Sequence, residues 1–199
     1  MAKLSDSTNI DWVQVQEQGS TPATPSSGYG RIYCKSDGLY YVDDAGTVIG
    51  PLVSAAGSGY TQGARVYNSG DIVVANSGWT VLTFDSERYD TDGIHDTGSN
   101  TSRLTCQTAG KYLIIGNAGF EAFAGWAGLG IYLNNTTVIA QVGHQFNNAD
   151  SFPQMVISTI YNLAQTNYVE LRANQISAGN KNVKAVANFS PEFMMQRIG

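Results

Sequence analysis

Along most of this chain apolar and polar residues alternate in short runs, and the runs are broken by Gly, Asn, Asp and Ser. Period-two alternation is the mark of strands buried on one face. It is clear in Leu129/Ile131/Leu133, Val169/Leu171/Ala173 and Val183/Ala185/Ala187/Phe189. Residues 104–112, Leu-Thr-Cys-Gln-Thr-Ala-Gly-Lys-Tyr, show the same alternation, interrupted by an Ala-Gly turn and restarted by an aromatic. The pattern predicts strands at 64–68, 71–75, 79–84, 103–107, 111–117, 120–124, 128–133, 136–142, 154–161, 167–173, 183–189 and 192–198. No segment keeps a 3.6-residue period, and 122–127 is too short and Gly-rich for a helix. Many short strands separated by turn residues predict an all-β sandwich or jelly roll.

Three zones precede or make up this domain. Residues 1–28 are a polar arm, with an extended Pro/Ser/Thr/Gly linker at 19–28. Within the arm, Ile10 and Trp12 share one face of a strand-like segment and Val13 and Val15 the other. So short a segment has no core of its own, and its apolar side chains call for a partner surface, reached by strand addition. Residues 29–54 form a small meander with turn signals at Asp37-Gly38 and Ala45-Gly46. Some twenty residues of meander bury too little to stand alone. Residues 55–59 are a Gly/Ser joint, and 60–199 form one jelly-roll domain.

Composition narrows the function. The net charge is −5 and charged residues make up 14% of the chain. Nucleic-acid binding needs a basic footprint, so it is not expected. No apolar run approaches the ~20 residues of a membrane helix, which disfavours membrane insertion. The first residues lack the apolar stretch of a signal peptide, so synthesis in a cytoplasm is expected. Cys34 and Cys106 have no metal-ligand spacing and read as buried free thiols rather than a disulfide.

Candidate chemistry is sparse. Asp85, Glu87, Asp90, Asp92 and Asp96 lie within twelve residues; calcium wants several such oxygens, and Asp90 and Asp92 are the first candidates. The competing reading is that Arg88 and Arg103 pair with these acids or that they cap turns. His95 and His144 stand in no catalytic frame, and no Gly-x-Ser-x-Gly elbow exists. The chain therefore reads as not an enzyme. Asn100, Asn134, Asn135 and Asn188 head Asn-x-Ser/Thr triplets and are taken as turn and strand residues. Trp126, Tyr132 and Phe146 are candidates for stacking on a glycan, against the alternative of core or subunit packing.

Two resemblances add to this. Tyr33, Lys35, Gly38, Leu39 and Tyr40 match a Tyr-x-Lys-x-x-Gly-x-Leu-Tyr pattern that resembles the small β-modules of bacteriophage head and tail fibres. Trp79, Leu82, Phe84 and Asp85, an acidic loop at 89–96, and Ala109, Gly110 and Tyr112 resemble the jelly roll shared by complement-type proteins and the tumour-necrosis-factor superfamily, in its bacteriophage form. Phe189, Phe193 and the last residues look like that family's final strand. The absence of a collagen Gly-x-y run disfavours the animal complement branch. These resemblances imply a homotrimer and a virion structural protein made in the host cytoplasm. It would be a head fibre or decoration at the virion surface, anchored to a capsid or tail protein through residues 1–28, its task adhesion to a host surface or glycan, or reinforcement of the particle. The alternatives are a tail receptor-binding fibre tip and a non-viral, soluble carbohydrate-binding module.

Overall fold

The computed structural model describes residues 16–52, 61–147 and 152–199. The candidate anchor residues Ile10, Trp12, Val13 and Val15 lie outside the described residues. The chain divides into two compact units, Met1–Gly59 and Tyr60–Gly199. Among the described residues there is no helix.

The first unit is a three-stranded antiparallel meander of β1 (Arg31–Lys35), β2 (Gly38–Val42) and β3 (Val48–Ile49). Lys35 pairs with Gly38, so Ser36-Asp37 is a two-residue hairpin turn. Asp43 shapes the second turn, its Oδ1 accepting from the Ala45 and Thr47 N–H groups at 3.0 and 2.7 Å. Among the described residues the core of the unit is Tyr33, Tyr40 and Val42. The two tyrosine rings stack at 5.4 Å and Lys35 Nζ sits 4.8 Å from the Tyr40 ring centroid. That cluster explains why Tyr, Lys and Tyr occur at these spacings. The Tyr40 hydroxyl donates to Asp37 at 2.6 Å, a bond that raises its pKa. Residues 19–28, read as an extended linker, run against the hairpins. Arg31 donates to the Ala23 carbonyl at 2.8 Å, the Gly28 N–H to Asp44 at 2.7 Å, and Pro25 is buried. Ile32, Ile49 and Leu52 remain exposed.

The second unit is a two-layer antiparallel sandwich. One layer, the β9 sheet, has the order β12 (Gln154–Leu163), β9 (Gly110–Gly119), β15 (Glu192–Arg197), β4 (Gly63–Tyr67), β7 (Ser86–Asp90). The other, the β10 sheet, runs β11 (Thr137–Phe146), β10 (Gly125–Leu133), β13 (Tyr168–Ile176), with β6 (Thr80–Val81) and β8 (Arg103–Thr105) both pairing along β13. A ribbon of β5 (Ile72–Val74) and β14 (Lys181–Val183) lies outside these layers. The inward-facing set includes Tyr112, Ile114, Phe193, Met195, Ile157, Leu129, Ile131 and Leu171, in one cluster. Phe84 stacks on Phe193 at 5.8 Å. The Tyr112 hydroxyl donates to the Thr108 carbonyl at 2.6 Å and ties the Ala-Gly turn to the strand that follows. Burial pushes the Tyr112 hydroxyl and Cys106 thiol pKa values up. Both cysteines are free; Cys106 is buried as expected, while Cys34 is only half-buried.

Three strand assignments are corrected. The segment 120–124 is not a strand: β9 continues to Gly119, and Phe120 makes a single bridge to Val183. The alternation at 183–189 does not form a strand either, because β14 stops at Val183 and Asn188 takes φ 74° in a turn. The acidic segment conceals β7, which pairs with β4 at the sheet edge. Asn100, Asn134, Asn135 and Asn188, expected in turns and strands, all have positive φ, a region that asparagine tolerates.

Candidate functional site

Because side chains on paired strands project in register, each outer face can be followed row by row. On the β9 sheet one row is Ile160–Leu113–Gln196 and the next Ser158–Ile115–Met194–Arg65. Val156 adjoins Asn117 and Glu192 in the third. Val156 and Ile160 are 62% and 60% exposed. The β12 end of this face thus carries two exposed aliphatics, alternating with the exposed polar residues Gln154, Ser158 and Asn162. Its β4 end is ionic: the Glu192 carboxylate, 1% exposed, accepts from Arg65 Nε at 2.7 Å and from Arg88 Nε at 3.3 Å, and Arg88 lies 4.0 Å over the Tyr67 ring.

The outer face of the β10 sheet has another character. Its rows are Gln145–Trp126–Ile176, Gly143–Gly128–Asn174, Gln141–Gly130–Arg172 and Val138–Tyr132–Glu170. The glycines leave a shelf, and the tryptophan ring lies on it. A Cβ on Gly128 would fall 2.3 Å from Trp126 Cη2, and one on Gly143 2.3 Å from Cζ2. Trp79 covers Gly130 and meets the Tyr132 ring edge-on at 5.8 Å. Arg172 sits 4.1 Å over Tyr132 and bonds Glu170 at 2.8 Å.

Of the residues read as glycan candidates, Trp126 and Tyr132 therefore share this face, whereas Phe146 does not. It pairs with Gly125, shares the inward phase of β10, and packs edge-on against Phe123 at 6.3 Å. Gly128, Gly143 and Asn174 were not singled out from sequence, and Trp79 was named only for the jelly-roll resemblance. Their signal is the second half of an alternation: Trp126/Gly128/Gly130/Tyr132 interleaves with the core set Ala127/Leu129/Ile131.

The acidic segment has no converging carboxylates. Asp90 accepts from the Asp92 and His95 N–H groups at 3.1 and 2.8 Å, and Asp92 accepts from the Thr108 hydroxyl at 3.1 Å. Among the described residues no three His, Cys, Asp or Glu side chains gather as metal ligands. The calcium reading of Asp90 and Asp92 thus gives way to turn stabilisation. His95, expected in a loop, is buried between Glu87 at 2.9 Å and the Thr101 carbonyl at 3.2 Å. His144 is exposed and packs edge-on to Phe146 at 4.8 Å.

No protein-family model and no curated protein matches this chain. Solved structures do. Eiger TNF from S. frugiperda superposes with a TM-score of 0.51 at 12% identity, over 69% of this chain and 92% of that one. The globular domain of zebrafish complement 1qA gives 0.49 at 13% identity, over 69% and 97%. Murine APRIL gives 0.49 at 9% identity, over 68% and 98%. At such identity the likeness is one of fold, and the fold is an all-β jelly roll similar to that of Eiger TNF.

Proposed function

We propose that this chain is a structural protein of a bacteriophage virion, a homotrimeric head fibre or decoration that projects from the particle and adheres to a host-surface glycan. The observation that carries the assembly part of this reading is the aliphatic outer face of the β9 sheet, where Val156 and Ile160 stand exposed beside Leu113, Ile115 and Met194. Covering a side chain of this size contributes about 1.5–3 kcal/mol. Two such exposed residues, one on either side of the Ser158 row, with three half-buried neighbours, form a patch suited to association with copies of itself. The meander supports the same reading: the three core residues among its described residues are too few for independence, and Ile32, Ile49 and Leu52 are exposed for contact between copies. The virion part rests on the fibre-module pattern of Tyr33, Lys35, Gly38, Leu39 and Tyr40, and on the apolar segment Ile10, Trp12, Val13 and Val15 as the anchor.

The test is a deletion of residues 1–15, which spares the hydrogen bonds that residues 18–28 make to the hairpins. Light scattering should give three times the mass of one chain for both proteins. Electron microscopy should find the full chain on phage particles and the deleted one absent from them. A monomeric full chain would overturn the assembly reading, and unimpaired incorporation of the deleted chain would overturn the anchor.

A further inference from the structure

We infer that the outer face of the β10 sheet around Trp126 is a saccharide site, taking a neutral, hydroxyl-rich sugar ring stacked on the indole. This deepens the adhesion part of the proposed function and rests on it.

Three observations carry the inference. The first is the shelf. Gly128 and Gly143 are cross-strand partners, so two neighbouring positions on the outer face have no side chain. The indole fills the place of both Cβ atoms and is held from below by backbone. A ring so held loses little freedom when a ligand covers its other face. Sugar rings present patches of C–H groups, which pack on aromatic faces, and hydroxyls around the rim, which need polar partners.

The second is the rim. Asn174 pairs in register with Gly128, the position that the indole covers, and among the described residues its buried Oδ1 has no hydrogen-bond partner. A buried acceptor without a donor costs free energy until it is paired. Rotation of the half-buried Asn174 side chain toward the surface lets a sugar hydroxyl supply that donor. Gln145, in the row of Trp126, supplies an amide on the other side.

The third is charge. The two rows around the indole hold Gln145, Ile176, Gly143 and Asn174, none of them ionisable. The ionic groups of this face, Arg172, Glu170 and Arg103, lie in the rows beyond, where both arginines pair with Glu170. A neutral ligand fits such a surface better than a polyanion does, and a protein partner would have to seat on a shelf one ring wide.

The experiment uses the full chain. It is screened on an array of neutral hexose, N-acetylhexosamine and uronate oligosaccharides, and the strongest is titrated by calorimetry. The expected result is binding to a neutral member. Trp126→Ala should weaken it about tenfold or more, the loss of one aromatic face. Gly128→Ser keeps the tryptophan but puts a side chain where the ring lies, and should weaken binding to a similar degree. Asn174→Ala should weaken it less. Mass by light scattering and thermal midpoint of Trp126→Ala should match the parent chain. The inference is overturned if no neutral sugar binds, if only uronates bind, or if binding ignores both Trp126→Ala and Gly128→Ser. A change in oligomeric mass with Trp126→Ala would make this face a subunit contact and overturn it as well. Incorporation into phage particles, followed on the same proteins, reports the virion reading separately, since it does not depend on sugar binding.

Discussion

The two outer faces of the sandwich differ, although both sheets bury the same kind of alternating apolar side chains against one core. The β9 sheet ends its outer face in exposed Val156 and Ile160, large aliphatics at the β12 edge. The β10 sheet carries glycines where side chains would stand and lays Trp126 and Trp79 over them. An aliphatic face satisfies any apolar partner and suits contact between copies. A glycine shelf with one flat ring and an unpaired amide oxygen suits a small ligand of defined shape. The inward half of each alternation specifies the fold, and the outward half specifies what the fold does.

The largest effect should come from the core that the two faces share. Phe193 is fully buried on β15 and stacks on Phe84. Phe193→Ala should cost about 3–5 kcal/mol. Thermal denaturation should register this as a large fall in midpoint, with both self-association and sugar binding lost together at temperatures where the parent is folded. A variant that loses one and retains the other would mean that the faces do not depend on a common core.

Ile160→Asp should separate the faces. In the free chain this position is mostly solvated, so an aspartate there leaves the monomer fold intact. Within a contact between copies, a buried unpaired carboxylate costs several kcal/mol. The expected outcome by light scattering is a folded monomer that still binds sugar, if weakly for want of multivalency. An unchanged trimer would show that the aliphatic face is not the contact.

How much of this was legible beforehand follows from what each residue was packed against. Inward alternation was plain in Leu129/Ile131 and Val169/Leu171 because each touches the core. The strand β7 was not, since Ser-Glu-Arg-Tyr-Asp is an edge strand with exposed or half-buried side chains throughout, and charge on an edge is how sheets avoid pairing further. Residues 116–120, Gly-Asn-Ala-Gly-Phe, imitate a turn. Their glycines instead make room for packing, Gly116 for Leu171 and Gly119 for Phe152. The segment 183–189 alternates as a strand does, but Asn188 at φ 74° turns the chain there. For the site, aromatic type pointed to Trp126, Tyr132 and Phe146, yet parity along the strands divides them. Tyr132 lies an even number of residues from Trp126, and Phe146 faces the core through its pairing with Gly125. Trp79 reaches the face from outside the paired strands, and no local pattern announces that.

The smallest effect tests whether the contrast between faces is local. Asp71 and Lys184 form an ion pair next to the β5–β14 ribbon, and the Ala185 N–H donates to Asp71 at 2.8 Å. The bond to Lys184, followed by that from Ala185, holds the Asp71 carboxyl below its ordinary value. A folded-state pKa below the unfolded one contributes stability that is full above the unfolded value and is lost as pH falls through the folded one. Both side chains are about a third exposed, so water and salt screen the pair, and Asp71→Asn should cost less than about 1 kcal/mol at neutral pH. That difference from the parent should shrink as acid protonates Asp71, and melts across the range from pH 7 to about pH 3 check it. The ribbon belongs to neither sheet, so trimer mass and sugar affinity should stay at parent values at neutral pH. A shift in either would mean that the ribbon couples to a face, and the two surfaces would no longer be independent products of their own rows.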